Sequence, residues 1–153
     1  FANNIPCVSV STLESMAYNF LSTDCIVCAV MDARCSQVYN ALFEIKNGVV
    51  TRLCDDRALS LDDLKNELLS VDGRIIIAGD GTDITCKYIG NEIKNAESAP
   101  VNLKYQRASS TALVAFEMIN NGQTVSAQKL MPVYLRLPQA QRELNKKLGG
   151  RTK

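Results

Sequence analysis

The chain of 153 residues contains no histidine, and that absence bounds its chemistry more tightly than anything present. Histidine is the usual general base beside a serine or cysteine nucleophile and the commonest metal ligand. Catalysis without it has to run on carboxylates, cysteines, lysines or a bound metal. A long apolar run is missing too. The longest covers residues 25–31, far short of the roughly 20 residues that a membrane-spanning helix needs. The first residues show no basic stretch followed by an apolar one, so no targeting segment is visible. There is no initiator methionine ahead of Phe1, and the expectation is an excised or truncated piece of a longer protein. The six cysteines lack the regular loop spacing of a secreted disulfide framework, and Cys25, Cys28 and Cys54 fall inside predicted strands. Cys25-x-x-Cys28 matches a redox or zinc pair in letters only, since it lies within a strand and no second pair completes a ligand set. The expectation is reduced thiols and a cytoplasmic protein, with no internal repeat or low-complexity segment.

What is present is enough apolar side chain, 46% of the residues, to bury one core. The net charge of +1 hides an asymmetry: from Lys129 onward there are seven basic residues against Glu143 alone, so the tail is +6 and residues 1–128 carry 1 − 6 = −5. A basic tail on an acidic body fits a contact with RNA phosphates or an acidic partner, and fits an ordinary solvated helix equally well.

Hydrophobic periodicity gives the order of elements. Ser11 and Glu14 stand at capping-box spacing ahead of a stripe of Leu13, Met16, Ala17, Phe20 and Leu21, predicting a helix. Residues 25–31 are apolar at every position, as in a strand buried on both faces. Residues 37–45 alternate: Tyr39, Ala41, Phe43 and Ile45 point one way and Asn40 and Glu44 the other, which predicts a sheet face at least partly wet. Asn47-Gly48 suits a type I′ turn and returns residues 49–54 antiparallel. Ser60 caps a second helix striped by Leu61, Leu64, Leu68 and Leu69. Residues 74–78 form another buried strand that empties into Gly79-Asp80-Gly81, with Thr82 placed to cap a third helix. A short strand over 101–105 and a helix opened by Ser109 or Ser110 follow, and Asn121-Gly122 stops that helix. An extended segment over 132–136 and a basic helix begun near Pro138 finish the chain. The divisions expected are 1–24, a leading segment and helix; 25–122, the main lobe; and 123–153, the extended segment and basic helix. Strand, strand, strand, helix, strand, helix, short strand, helix is the order of a ribonuclease-H-like α/β domain, here a mixed five-stranded sheet with 74–78 central. The hairpin argues against a Rossmann or flavodoxin-like chain.

Two classes of function use this architecture. A metal-dependent nuclease holds divalent ions on carboxylates at strand ends and on the adjacent helix, and Asp32, Glu67 and Asp80 are the candidates. Acidic residues at strand ends are also ordinary turn formers. The Gly79-Asp80-Gly81 turn leads into a helix N-terminus and so could receive a phosphate, though a tight turn explains it without one. The second class is a lobe of an actin-like or sugar-kinase-like ATPase fold, or a relative that has become a binding subunit.

Five segments carry a resemblance: Val10-Ser11-Thr12-Leu13-Glu14; Met31-Asp32-Ala33-Arg34 with Gln37-Val38-Tyr39; Ala78-Gly79-Asp80-Gly81; Met131-Pro132-Val133-Tyr134-Leu135-Arg136; and Gln139-Ala140-Gln141-Arg142-Glu143. Together they resemble the TsaB family, the accessory subunit of bacterial tRNA threonylcarbamoyladenosine biosynthesis, formerly grouped with glycoproteases. The resemblance implies a second lobe plus C-terminal segment, because family members open on a further ribonuclease-H-like lobe with an Asp-Thr-Ser motif that this chain lacks. It implies no catalysis of its own, no cofactor and no metal, and partnership with the catalytic paralogue TsaD and the ATPase TsaE. TsaD pairing in the family is formed largely by the other lobe. Within the resemblance Asp32, Ala33, Arg34 and Tyr39 are turn residues of the family motif, Gly79, Asp80 and Gly81 a vestigial phosphate turn, and Tyr134 and Arg136 candidate partner contacts. A homodimer and a contact of the basic tail with tRNA are left open.

Overall fold

The computed structural model describes residues 5–135. The expected basic helix and Arg136 lie outside them. Six strands form one mixed sheet: β1 (Cys25–Asp32), β2 (Gln37–Lys46), β3 (Val49–Arg52), β4 (Arg57–Ser60), β5 (Ile75–Ala78) and β6 (Ala96–Ser98). Four helices accompany it: α1 (Thr12–Ala17, extended by a 3-10 turn Tyr18–Phe20), α2 (Leu61–Leu68), α3 (Thr82–Ile89) and α4 (Ala108–Asn120). The strand order is β3-β2-β1-β5-β6, with β4 also on β2. The first three strand positions are antiparallel, while β5 joins β1 and β6 joins β5 in parallel. This is the expected ribonuclease-H-like arrangement.

Several details differ from the sequence reading. The third position is shared by two strands: β3 pairs with the far half of β2 and β4 with its first residues, so six strands fill five positions. Residues 53–56 bulge between them, and the Cys54 thiol takes the Leu42 N–H at 3.2 Å, standing in for the missing strand carbonyl. β1, not β5, is central; β5 lies beside it and is buried throughout. The fifth position is taken by Ala96–Ser98, because Pro100 starts a turn in which Leu103 N–H returns to the Pro100 carbonyl, leaving 101–105 out of the sheet. Leu69 falls past the end of α2 and is exposed. α4 begins at Ala108, and Ser110 lies inside it, buried, with its hydroxyl on Asn19. Thr82 does not cap α3; its hydroxyl donates to the Gly79 carbonyl at 2.8 Å.

The largest correction concerns the supposedly wet face of β2. Asn40 is 0% exposed. The alternation was real but both faces are covered: α1 lies over Leu13, Met16, Phe20, Val27, Phe43 and Ile45, and α2 and α3 lie over Val30, Val38, Leu42, Leu64, Leu68 and Ile77. Asn40 survives burial by being fully paired. Its amide donates to the Ala29 carbonyl at 3.0 Å, and its oxygen accepts from Arg57 at 3.1 Å. Cys25 and Cys28 belong to opposite cores, as residues three apart on a strand must, and all six cysteines are free thiols. No helix among the described residues is long and apolar enough to cross a membrane.

Candidate functional site

The C-terminal ends of the parallel strands are where open α/β sheets place ligands, and β1 and β5 bring Asp32 and Asp80 together there. An Asp80 carboxylate oxygen accepts the Asp32 N–H at 3.2 Å, and Asp32 in turn accepts the Arg34 N–H at 2.7 Å. Arg34, Cys35 and Ser36 all have positive φ, 63°, 53° and 55°. Three successive non-glycine residues in the left-handed region form a tight knuckle, closed by Ala33 N–H to the Gln37 carbonyl and Gln37 N–H to the Arg34 carbonyl. The knuckle holds the Arg34 side chain out to solvent, 3.4 Å from Asp32.

The glycines beside it answer to packing. A Cβ on Gly79 would sit 1.9 Å from the Val30 carbonyl oxygen, and Gly79 has φ +117°; one on Gly81 would meet the Met31 and Asp32 backbone at 3.1–3.3 Å. The β5–α3 turn is therefore pressed against β1. Three of its donors are engaged: Gly79 N–H goes to the Lys104 carbonyl, Gly81 N–H to the Val30 carbonyl and Thr82 N–H back to the Gly79 carbonyl.

Glu67, the third carboxylate of the nuclease alternative, has another bond. Arg57 on β4 holds it at 2.6 Å, and the same guanidinium reaches Asn40. Among the described residues no three His, Cys, Asp or Glu side chains converge on a metal position. Cys28, beside Asn40, has its thiol pKa pushed well up by burial.

A cleft of about 500 Å³ opens on the other side of the β1–β2 end, lined by 9–13, Met31, Tyr39, Asp56 and 132–135. Met31 and Tyr39 face each other across the strand pair. Tyr134 lines this cleft and is 83% exposed, so Tyr39 and Tyr134 share one surface. One wall is fixed by a charged network that sequence reasoning missed. Ser11 donates to Asp56 at 2.6 Å, Arg52 bonds Asp56 at 2.6 Å and Glu14 at 2.8 Å, and the guanidinium stacks 4.7 Å from the Phe43 ring. The sheet end thus offers polar and apolar groups in one recess.

No protein-family model matches the chain. Among curated proteins it is 27% identical over 139 residues to the tRNA threonylcarbamoyladenosine biosynthesis protein TsaB of Bacillus subtilis (strain 168), covering 90% of this chain and 59% of that protein. The chain thus spans less than two thirds of that relative's length. Among solved structures, YeaZ from Pseudomonas aeruginosa superposes with a TM-score of 0.67 at 20% identity, over 88% of this chain and 62% of that one. A protein from the same organism, described as uncharacterized with similarity to peptidase YeaZ, superposes with a TM-score of 0.67 at 21% identity, over 89% and 62%. These neighbours show a shared actin-like, ribonuclease-H-like fold, and the likeness to TsaB holds over nearly the whole chain.

Proposed function

We propose that this chain is the second lobe of a TsaB-type accessory subunit, acting in tRNA threonylcarbamoyladenosine formation as a binding element and not as the transferase. The observation that carries the reading is the match to TsaB over 90% of the chain. The site supports a non-catalytic role: Glu67 is bound to Arg57, the N–H groups of Gly79, Gly81 and Thr82 are spent internally, and Asp32 and Asp80 bond backbone and each other's turn. The partners on this reading are a TsaD-type catalytic paralogue and a TsaE-type ATPase in the cytoplasm, with the knuckle at Arg34 and the exposed Tyr134 as contact points. The basic tail adds a salt-sensitive contact with tRNA.

Reconstitution with TsaD, TsaE, tRNA and the threonylcarbamoyl donor tests it. Because binding energy concentrates in a few central contacts, and the family's main TsaD contact lies on the other lobe, the chain alone should leave the reaction at the level seen without accessory subunit. Activity equal to that of a complete TsaB would overturn the lobe assignment. Magnesium- or manganese-dependent cleavage of an RNA–DNA hybrid, abolished by Asp80→Asn, would replace the accessory reading with a nuclease.

A further inference from the structure

Asparagine followed by glycine occurs twice in the chain, at Asn47-Gly48 and at Asn121-Gly122, and both pairs are exposed. Such a pair can react with itself: the glycine amide nitrogen attacks the asparagine side-chain carbonyl, and no Cβ on the glycine stands in the way. The fold treats the two amides differently. Gly122 N–H closes the end of α4 on the Ile119 carbonyl at 3.0 Å, and the next amide, Gln123 N–H, goes to the Met118 carbonyl at 2.8 Å. Gly48 N–H has no hydrogen bond among the described residues, and neither has the Asn47 carboxamide. Only the Asn47 N–H is held, by an Asp24 carboxylate oxygen at 2.9 Å.

We infer that Asn47 is a self-modification site of this chain, deamidating through a succinimide while the fold protects Asn121. The Gly48 nitrogen bonds to Cγ of Asn47 and gives up its proton; the Cγ–Nδ2 bond breaks, and Nδ2 takes that proton and leaves as ammonia. Water then opens the ring at either carbonyl to give aspartate or isoaspartate, and no oxidant or reductant takes part. At Asn121 the same attack first has to open the bonds that end α4. Either product disturbs the hairpin tip. Aspartate sets a second carboxylate near that of Asp24, which bonds the same residue's N–H. Isoaspartate routes the main chain through the side-chain methylene, lengthening a turn whose two residues, at φ 52° and 76°, set Lys46 opposite Val49. β3 is four residues long and carries Arg52, which holds Asp56 and Glu14, so a slip in its register loosens the cleft wall.

Timed peptide mapping of the full chain in mildly alkaline, reducing buffer is the test. Trypsin separates the two sites, since Lys46 and Arg52 bracket one and Arg107 and Lys129 the other. In the folded chain Asn47 should convert about tenfold or more faster than Asn121, seen as the mass change of an amide becoming an acid and as methylation by an isoaspartyl methyltransferase. In urea both amides are released, and the two rates should come within about twofold of each other. Hydrogen exchange of the isoaspartyl form should be faster than in the parent at 49–52 and unchanged at 25–32. Equal rates in the folded chain, or an Asn47 that stays intact while the unfolded chain converts, overturn the inference. A difference that persists undiminished in urea overturns it as well, by tracing the rate to the flanking sequence and not to the fold. Unchanged exchange at 49–52 in the isoaspartyl form overturns the consequence drawn for β3.

Discussion

The two sides of the sheet are closed in different ways. Under α2 and α3, Leu61, Leu64, Leu68 and Ile89 go inward while Asp62, Asp63 and Lys87 face water, so each helix is amphipathic and its outer surface is finished. On the opposite side α1 covers the sheet, and α4 is added outside α1 with an apolar outer face. The α2–α3 side can also afford a polar cluster in its core, Asn40 with Arg57 and Glu67, because every group there has a partner. One side is a completed domain surface, and the other ends in an apolar helix face.

The strongest way to break both sides at once lies at the turn they share. Gly79→Ala places a Cβ against the Val30 carbonyl at a backbone conformation that alanine rarely adopts. Since neither the turn nor β1 can retreat, a loss of about 3 kcal/mol or more is expected, measured by denaturant unfolding or as failure to recover folded protein. Unchanged stability would mean that the turn does not press on β1.

A paired substitution sharpens the contrast directly. Leu64 is fully buried beneath α2, so Leu64→Ala should cost about 3 kcal/mol. Phe116→Ala removes a larger side chain, but from the bare face of α4, and the isolated chain should change by less than about 0.5 kcal/mol. Comparable losses would show that α4 is packed on its outer side within one chain.

The same contrast decides what was legible in the sequence. Local signals worked where the physics is local: the unbroken apolar run of β1, Asn47-Gly48 with φ 52° and 76°, and Ser11 and Ser60 as caps. Asn40 was misread because a polar residue on an alternating strand looks solvent-facing. Its rescue comes from Arg57, 17 residues on, which no periodicity displays. β4 is four residues long and resumes a strand already counted, so it gave no separate signal. Residues 101–105 have the side chains of a strand, but Pro100 and the Lys104 carbonyl bond to Gly79 N–H hold them in a turn. At the site, Asp32 with Arg34 and the glycine pair were visible as motifs. The Ser11–Asp56–Arg52–Glu14 network was not, since it joins residues up to 45 apart.

Alkaline titration with and without Cys28 probes the α2–α3 core. The unfolded thiol ionises near 9.0, whereas the buried one is held neutral to much higher pH. A raised folded pKa gives stability that is whole below pH 9 and is lost as pH climbs above it, by up to about 1.4 kcal/mol per pH unit for this one group. Urea midpoints measured on either side of pH 9 should therefore fall, and Cys28→Val should flatten the fall. An equal slope in that variant would put the alkaline loss on other groups: the Cys25 and Cys86 thiols, which burial also raises from 9.0, or Tyr18 on the α1 side, which starts a unit later, from 10.0.

The smallest effect separates the two caps. Ser60 and Ser11 each accept a backbone N–H three residues on, from Asp63 at 3.1 Å and from Glu14 at 3.2 Å. Ser60 otherwise bonds only Asp63 in its own first turn, so Ser60→Ala should cost about 0.5–1 kcal/mol, as a local cap does. Ser11 also donates to Asp56, whose other oxygen holds Arg52, and Arg52 returns to Glu14. Removing that hydroxyl takes away the cap and one donor from a carboxylate that helps fix the cleft wall. Ser11→Ala should therefore exceed Ser60→Ala by about 0.5–1 kcal/mol. A double mutant with Asp56→Asn tests the coupling: if Ser11→Ala costs the same in both backgrounds, the serine acts only as a helix cap and the cleft wall does not depend on it.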